Sequence, residues 1–189
     1  MKQYLKPTIL FVALLLPVVI FLFLKLFGEN KFDIPVYYQN QEEIVSDISC
    51  VNANIKAPYI VDLFNADLFK GPMLNQIKDD QIILLAYFDS KDNSDLSYKI
   101  KRLQERLGED YQMILFVDSL VDEDFSSQLL INTEVEYVAS FWKCALLNDD
   151  YHQWVLLDTQ KRIRGYYDSS EKEMDRLIVE MAILIKNND

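Results

Sequence analysis

An uncharged apolar run near the N-terminus is the feature that most restricts how this chain can fold. No residue from Pro7 to Leu24 is charged, and apolar residues continue to Phe27 on the far side of Lys25. At about 1.5 Å per residue, a helix of roughly 20 residues crosses the ~30 Å hydrocarbon core of a bilayer. A buried helix in a small soluble domain is rarely apolar on every face. The run therefore predicts one transmembrane helix, kinked modestly at Pro17.

Two processing fates are compatible with such a run, and the residues around it favour one of them. A cleaved signal peptide has a shorter apolar region of about 7–15 residues, followed by small residues at the cut. Here the run ends in bulky residues, and no A-x-A-like site follows. We therefore predict an uncleaved signal anchor over residues 1–27. Lys2 and Lys6 on the short N-terminal side favour a cytoplasmic N-terminus, a single pass through the inner membrane and a periplasmic remainder.

The charge balance and the cysteine count exclude several classes of function. Residues 28–189 contain 16 basic and 30 acidic residues, a net charge of −14. A domain this acidic repels phosphate backbones, so nucleic acid is not an expected partner. The chain has 2 Cys, 1 His and 4 Gly. These counts exclude a disulfide-dense scaffold, a four-cysteine zinc site and a zinc enzyme built on several histidines, and they leave little material for a phosphate-binding loop.

Two apolar runs mark the first half of the predicted sheet. The runs at 81–88 and 111–117 are continuous, which is typical of strands buried on both faces. Between them, apolar residues recur at spacings of three and four, one stripe of a helix that Gly108 ends. The stripe consists of Leu96, Ile100, Leu103 and Leu107. A strand–helix–strand crossover predicts that the two strands are parallel.

A hairpin and two capped helices complete the predicted domain. Strands at 154–157 and 163–167 are joined through a turn at 158–161, so we expect them to pair antiparallel. The patterns Thr133-x-x-Glu136 and Ser170-x-x-Glu173 are capping boxes, each of which opens a helix. A mixed sheet with helices on both faces predicts a thioredoxin-like α/β domain.

The domain boundaries follow from these elements. We expect a membrane anchor at 1–27, a stalk at 28–58 and an extracytoplasmic thioredoxin-like domain at 59–189.

The segment from Trp154 to Asp168 is the most distinctive stretch of the chain. A strand ends in Leu157-Asp158, the chain turns, and it returns in the order Arg-Ile-Arg-Gly-Tyr-Tyr-Asp. With the capped helix of residues 171–186, this hairpin resembles the Sco/SenC family of membrane-anchored, thioredoxin-like copper chaperones. The resemblance is good over 150–186 and weaker over 81–118. It implies the thioredoxin-like fold and a location in the cell envelope.

The metal ligands of that family are absent from the matching positions. The resemblance implies two thiolates from a Cys-x-x-x-Cys loop after the first core strand and an imidazole shortly before the hairpin, a soft ligand set that suits copper. Those positions fall on Lys91, Asp95 and Asp150, and His152 lies two residues from the imidazole position. We therefore expect a degenerate member with no metal, cofactor or catalytic residue. We expect Lys91 and Asp95, four residues apart, to form a salt bridge with each other instead of holding a metal ion.

The cysteines and the histidine leave alternatives open. Cys50 and Cys144 lie far apart in sequence, and neither belongs to a Cys-x-x-Cys motif. One alternative is that they form a disulfide in an oxidising compartment, which would stabilise the folded domain by about 4–5 kcal/mol in the chain-entropy model. The other is that they remain separate buried thiols. His152, close to Asp149 and Asp150, is either an exposed loop histidine or part of a weak metal or pH-sensing site.

Six aromatic residues are candidates for interface anchors, with core packing as the alternative. They are Tyr37, Tyr38, Phe64, Phe69, Tyr166 and Tyr167. Successive residues of a strand point to opposite faces, so at least one of the last two should face away from the main core.

These features predict a non-enzymatic, membrane-anchored domain that acts through contacts with other envelope proteins. Respiratory-oxidase assembly is what the resemblance implies for those partners. Two alternatives remain: a copper- or thiol-handling protein that uses Cys50, Cys144 and His152, and a structural subunit of a membrane complex.

Overall fold

The computed structural model describes residues 5–27, 33–44, 50, 55–63, 76–78, 80–89, 93–118 and 129–188. The chain divides into two units, with the boundary between Asp33 and Ile34. The first unit contains helix α1 (Leu5–Phe27). The large apolar side chains described in this helix are between 44% and 75% exposed.

Among the residues that the structure describes, no helix has the combined length and hydropathy needed to cross a membrane. The transmembrane helix therefore stays a prediction.

The second unit is built around one five-stranded sheet with the strand order β3-β2-β1-β4-β5. The strands are β1 (Ile82–Phe88), β2 (Tyr111–Val117), β3 (Leu129–Asn132), β4 (Trp154–Leu157) and β5 (Ile163–Tyr167). The helices are α2 (Asn93–Leu107), α3 (Val135–Ala145) and α4 (Glu171–Asn188), with a short 3-10 turn at Gln41–Glu43.

The pairing of the strands confirms the predicted mixed sheet. Strands β1 and β2 are parallel, with Ile82 opposite Tyr111, and β3 extends the parallel part beyond β2. Strand β4 runs antiparallel to β1, and β5 runs antiparallel to β4, so the hairpin forms the other side of the sheet. This is the thioredoxin-like arrangement expected from the order of the elements.

The central strand has a core on each of its faces, which is why all seven of its residues are buried. Helices α2 and α4 cover one face, and α3 covers the other together with Val61 and Leu63 from the N-terminal part of the unit. The four predicted stripe residues of α2 all lie in the first core. A continuous apolar run is the sequence signature of this two-sided burial.

The structure tests the two predicted capping boxes, at the starts of α3 and α4. The backbone N–H of Thr133 donates to the Val117 carbonyl, so the chain is still extended there, and Glu134 rather than Thr133 is the residue before α3. The predicted capping box at Thr133 is therefore wrong. At the start of α4, one of the two hydrogen bonds of a capping box is present: the Ser170 hydroxyl accepts the backbone N–H of Glu173 at 3.4 Å.

The segment predicted as a stalk, 28–58, differs from that expectation in its described part. Ile34 is buried in the core between the sheet and helices α2 and α4. The Tyr37 N–H donates to the Ile163 carbonyl at 2.9 Å, which places this segment along the outer edge of β5. Residues 34–37 therefore pack on the domain, because Ile34 is buried in its core and Tyr37 bonds the edge of β5.

Candidate functional site

The carboxyl ends of β1 and β2 meet at one edge of the sheet, the usual location of ligand sites in open α/β sheets. Tyr87 is buried at this edge, and its ring contacts that of Tyr151 edge-on, with 5.4 Å between the centroids. The ring of His152 lies 4.3 Å from that of Tyr151. Burial, followed by the charges of Asp118 and Asp89, raises the pKa of Tyr87. The phenol is therefore held in its neutral form.

The loop before β4 holds the candidate residues Asp149, Asp150 and His152, but their contacts are local. Asp150 Oδ1 accepts the backbone N–H of His152 at 3.0 Å. Asp149 lies 3.9 Å from the Lys143 ammonium. Over the described part of the chain, no group of three metal-ligating side chains is close enough to hold an ion. His152 is therefore an exposed loop residue whose ring lies beside that of Tyr151.

The positions that match the family's thiolates do not form a ligand pair. Lys91 lies outside the described residues. Asp95 lies in the first turn of α2 and forms a salt bridge with Lys99, one helical turn further on. The ammonium of Lys99 is buried, whereas the Asp95 carboxylate is exposed. The carboxylate of Asp95 is therefore engaged by a lysine of its own helix.

The structure decides the open question about the cysteines. Cys50 and Cys144 form a disulfide, with 5.5 Å between their Cα atoms and a sequence separation of 94 residues. The bond joins the N-terminal part of the domain to the last turn of α3. Neither sulfur is available as a thiolate ligand or nucleophile while the bond is intact.

Three tyrosine hydroxyls bond the end of the same helix. Consecutive backbone carbonyls of residues 145–147 each accept one phenolic O–H: that of Tyr59 at 2.7 Å, that of Tyr166 at 2.6 Å and that of Tyr38 at 3.1 Å. The last carbonyls of a helix have no partner within the helix, so these bonds satisfy groups that would otherwise need water. We call Tyr38, Tyr59 and Tyr166 the tyrosine cluster.

Burial shapes the acid–base properties of the tyrosine cluster. Desolvation, with a smaller contribution from Asp62, raises the pKa of Tyr59 to about 12. Desolvation and the neighbouring Tyr38 hydroxyl raise the pKa of Tyr166 still further. The phenols of Tyr59 and Tyr166 therefore stay protonated and donate their hydrogen bonds at all physiological pH values. The cluster and the disulfide together fix the N-terminal segment on α3 and form no reactive centre.

A buried ion pair supports the same segment from the hairpin side. The Asp158 carboxylate accepts hydrogen bonds from Arg162 at 2.8 Å and from Arg164 at 3.3 Å. Arg164 also donates to the backbone carbonyl of Ile34. Arg164 and Asp158 are both buried, so the charge of each offsets the desolvation of the other. The hairpin thereby holds the start of the domain in place.

Of the six aromatic candidates, the structure describes four. Tyr167 is fully buried in the core shared by α2 and α4. Tyr38 and Tyr166 are half-buried beside α3, and Tyr37 is exposed, with its ring 5.5 Å from that of Tyr166. The other two candidates, Phe64 and Phe69, lie outside the described residues. Tyr59 was not a candidate, because one tyrosine in a loop carries no sequence signal for a helix-end contact.

This chain is similar to known proteins in its fold alone. No protein-family profile and no curated protein matches the chain. Among solved structures, a SCO1/SenC family lipoprotein from Bacillus anthracis is 14% identical with a TM-score of 0.43, covering 56% of this chain and 82% of that one. Copper-bound ScoI of Bradyrhizobium japonicum is 12% identical with a TM-score of 0.39, covering 58% and 85%. A thioredoxin-like protein in its oxidised form is 9% identical with a TM-score of 0.44, covering 69% and 96%.

Proposed function

We propose that this protein is a membrane-anchored, extracytoplasmic domain of Sco/SenC descent that acts by protein contact rather than catalysis. The observation that carries the proposal is the disulfide between Cys50 and Cys144. Disulfides persist in oxidising compartments and are rare in the cytosol, so the bond supports a domain on the outer side of the inner membrane. Both cysteines are thereby used in holding the domain together.

The anchor in this proposal is helix α1, within residues 1–27. The charge-free run from Pro7 to Leu24 supports it, as do the exposed apolar side chains of the helix, which water solvates poorly. Lipid is the environment that such a surface requires. The flanking lysines favour a cytoplasmic N-terminus.

The non-enzymatic part of the proposal rests on the family's ligand positions. Lys91, Asp95 and Asp150 replace the two thiolates and the imidazole, and Asp95 is paired with Lys99. The link to respiratory-oxidase assembly comes from the resemblance of the hairpin segment. In this reading the partners are envelope proteins of that assembly process.

Topology mapping with engineered cysteines tests the location. Tyr98 on α2 is 55% exposed, so a Tyr98→Cys variant places a reactive thiol on the domain surface. In intact spheroplasts, a membrane-impermeant maleimide is expected to label this variant and to leave a Gln3→Cys variant unlabelled. Labelling of the N-terminal site alone would reverse the orientation, and labelling of neither before lysis would place the domain in the cytosol.

The partner is sought by purification from mild detergent after crosslinking in native membranes. The expected outcome is a stoichiometric envelope protein that stays bound when His152 is replaced by alanine. Loss of the same partner on copper chelation would instead favour the copper-handling alternative.

A further inference from the structure

The two outer edges of the five-stranded sheet are bonded differently. At the β5 edge, the Tyr37 N–H donates to the Ile163 carbonyl, and the Val61 N–H donates to the Lys161 carbonyl. Strand β3 forms the opposite edge. Among the residues that the structure describes, no backbone group bonds the outer side of β3. Within that part of the chain, the domain therefore covers one edge of its sheet and leaves the other without a partner.

The register of β3 shows which of its backbone groups point outward. The N–H of Thr133 donates to the Val117 carbonyl of β2 at 3.0 Å. The backbone groups of alternate residues in a strand point to the same side, so those of Ile131 also face β2. The N–H and C=O groups of Leu130 and Asn132 therefore point away from β2, to the outer side. We call these four groups the β3 edge.

The sequence of this edge lacks most of the features that keep edge strands from pairing with other chains. Those features include a charged side chain, a proline and a β-bulge. Residues 129–132 are Leu-Leu-Ile-Asn, and they pair with β2 in an uninterrupted register. The strand is short, so an added segment gains backbone bonds at two residues only. Side-chain contacts therefore have to supply the rest of the affinity and the specificity.

The charges around the β3 edge indicate what such a segment carries. Glu134 and Glu136 come directly after β3, and both are exposed. Residues 28–189 carry a net charge of −14. Like charge opposes the approach of a second copy of this domain, whereas lysine and arginine are attracted. The carboxyl end of the edge therefore fits a basic partner.

We propose that the β3 edge receives an extended segment of a partner protein, with lysine or arginine where that segment passes Glu134 and Glu136; the inference rests on the proposed role in protein contact. Backbone bonds to Leu130 and Asn132 hold the segment as a sixth strand, and its basic residues set its direction. The Leu130 side chain is half-buried against the core shared by α2 and α4, and that of Asn132 is exposed. Both lie within reach of side chains on an added strand.

Amide hydrogen exchange on the full chain in detergent micelles tests whether the β3 edge is open. The amides of Leu130 and Asn132 are expected to exchange fast, and those of Ile131 and Thr133 slowly, because only the second pair bonds β2. Slow exchange of Leu130 and Asn132 at every protein concentration would show that the protein's own chain covers the edge, and the proposal would fall. Slow exchange that appears only as the concentration rises would assign the edge to a second copy and overturn the proposal as well.

The probe for binding is a capped peptide of alternating threonine and valine that ends in two lysines. At saturation, it is expected to slow the exchange of the Leu130 and Asn132 amides by about tenfold or more. A matched peptide that ends in two glutamates should bind about tenfold more weakly at low salt, and added salt should reduce this difference. If the lysine peptide slows neither amide, the proposal is wrong. Equal binding of the two peptides would overturn the assignment of a basic segment.

Proline at an outward position blocks the β3 edge while leaving the bonds to β2 in place. Leu130→Pro removes an N–H that faces away from β2, and edge strands tolerate proline for that reason. This variant is expected to abolish the slowing at Asn132, whereas Asn132→Ala, which keeps its N–H, should bind the peptide like the wild type. Equal loss in both variants would place the contact on side chains, and unchanged binding to Leu130→Pro would remove the edge from the contact; either result overturns the proposal. Asn132→Pro replaces Leu130→Pro if the fluorescence of the buried Trp142 and Trp154 shows that the first variant does not fold.

Crosslinking in native membranes separates failure of this inference from failure of the proposed contact role. The expected result is an envelope protein captured by the wild type and by Asn132→Ala and lost from Leu130→Pro. If Leu130→Pro captures the same protein equally well, the β3 edge is not the contact, and the role in protein contact stands. If neither the wild type nor the variants capture any protein, both proposals fall.

Discussion

Replacing Cys50 and Cys144 together with alanine is expected to destabilise the domain by about 4–5 kcal/mol. The bond spans a sequence separation of 94 residues. For a loop of that length, the chain-entropy relation gives about 4.7 kcal/mol at 25 °C, lost because the unfolded chain regains its freedom. Cys50 is buried, and alanine brings no polar group that needs a partner there. In a domain of this size, the loss corresponds to a fall in Tm of about 10–20 °C.

The fluorescence of Trp142 and Trp154 measures this change, because both are buried in the folded domain. Thermal and urea unfolding are followed on the full chain in detergent micelles, with and without reductant. Reduced wild-type protein should match the double variant, and reductant should leave the double variant unchanged. A loss below about 1 kcal/mol, or an equal effect of reductant on both proteins, would refute the loop-closure argument.

Three further predictions concern the tyrosine cluster and metal binding. Tyr59→Phe removes the O–H that the Ala145 carbonyl accepts, so it should cost about 1 kcal/mol in urea unfolding, whereas Tyr98→Phe on the surface should cost nothing measurable. Stability should be complete below pH 10 and fall as the pH rises through about 12, because the folded-state pKa of Tyr59 is raised; phenolate absorbance recorded beside fluorescence checks this. Reduced protein should not compete with a Cu(I) chelator; tight stoichiometric binding that Cys50→Ser or Cys144→Ser abolishes would contradict this.

The central sheet was predictable from sequence because its signals are strong and local. The runs that form β1 and β2 are apolar at nearly every position. The two strands of the hairpin lie on either side of a turn that the sequence indicates clearly. Strand β3 (Leu129–Asn132) was missed because four residues are too few to show a period. The start of α3 was misplaced because Thr133 uses its backbone N–H to extend the sheet, a tertiary contact that overrides the capping pattern.

The contacts of the N-terminal segment were not predictable, for a different reason. Helix-end carbonyls are present in every helix, so the sequence does not indicate which side chains will bond them. Tyr38 and Tyr59 reach the end of α3 over separations of 109 and 86 residues. The same limit applies to Cys50 and Cys144, since pairing depends on how close the fold brings them. The segment at 28–58 was therefore predicted as a stalk, because its long-range partners leave no signal in the sequence.

Several long-range bonds among the described residues converge on the N-terminal part of the second unit. The disulfide and the tyrosine cluster bind it to the end of α3, and Arg164 binds its first residue to the hairpin. None of these bonds involves the carboxyl edge of β1 and β2, the usual location of ligand sites in open α/β sheets. These bonds hold the N-terminal part of the unit in one geometry on the domain. The distribution of bonds therefore favours a protein whose role depends on how its surface is presented to its neighbours.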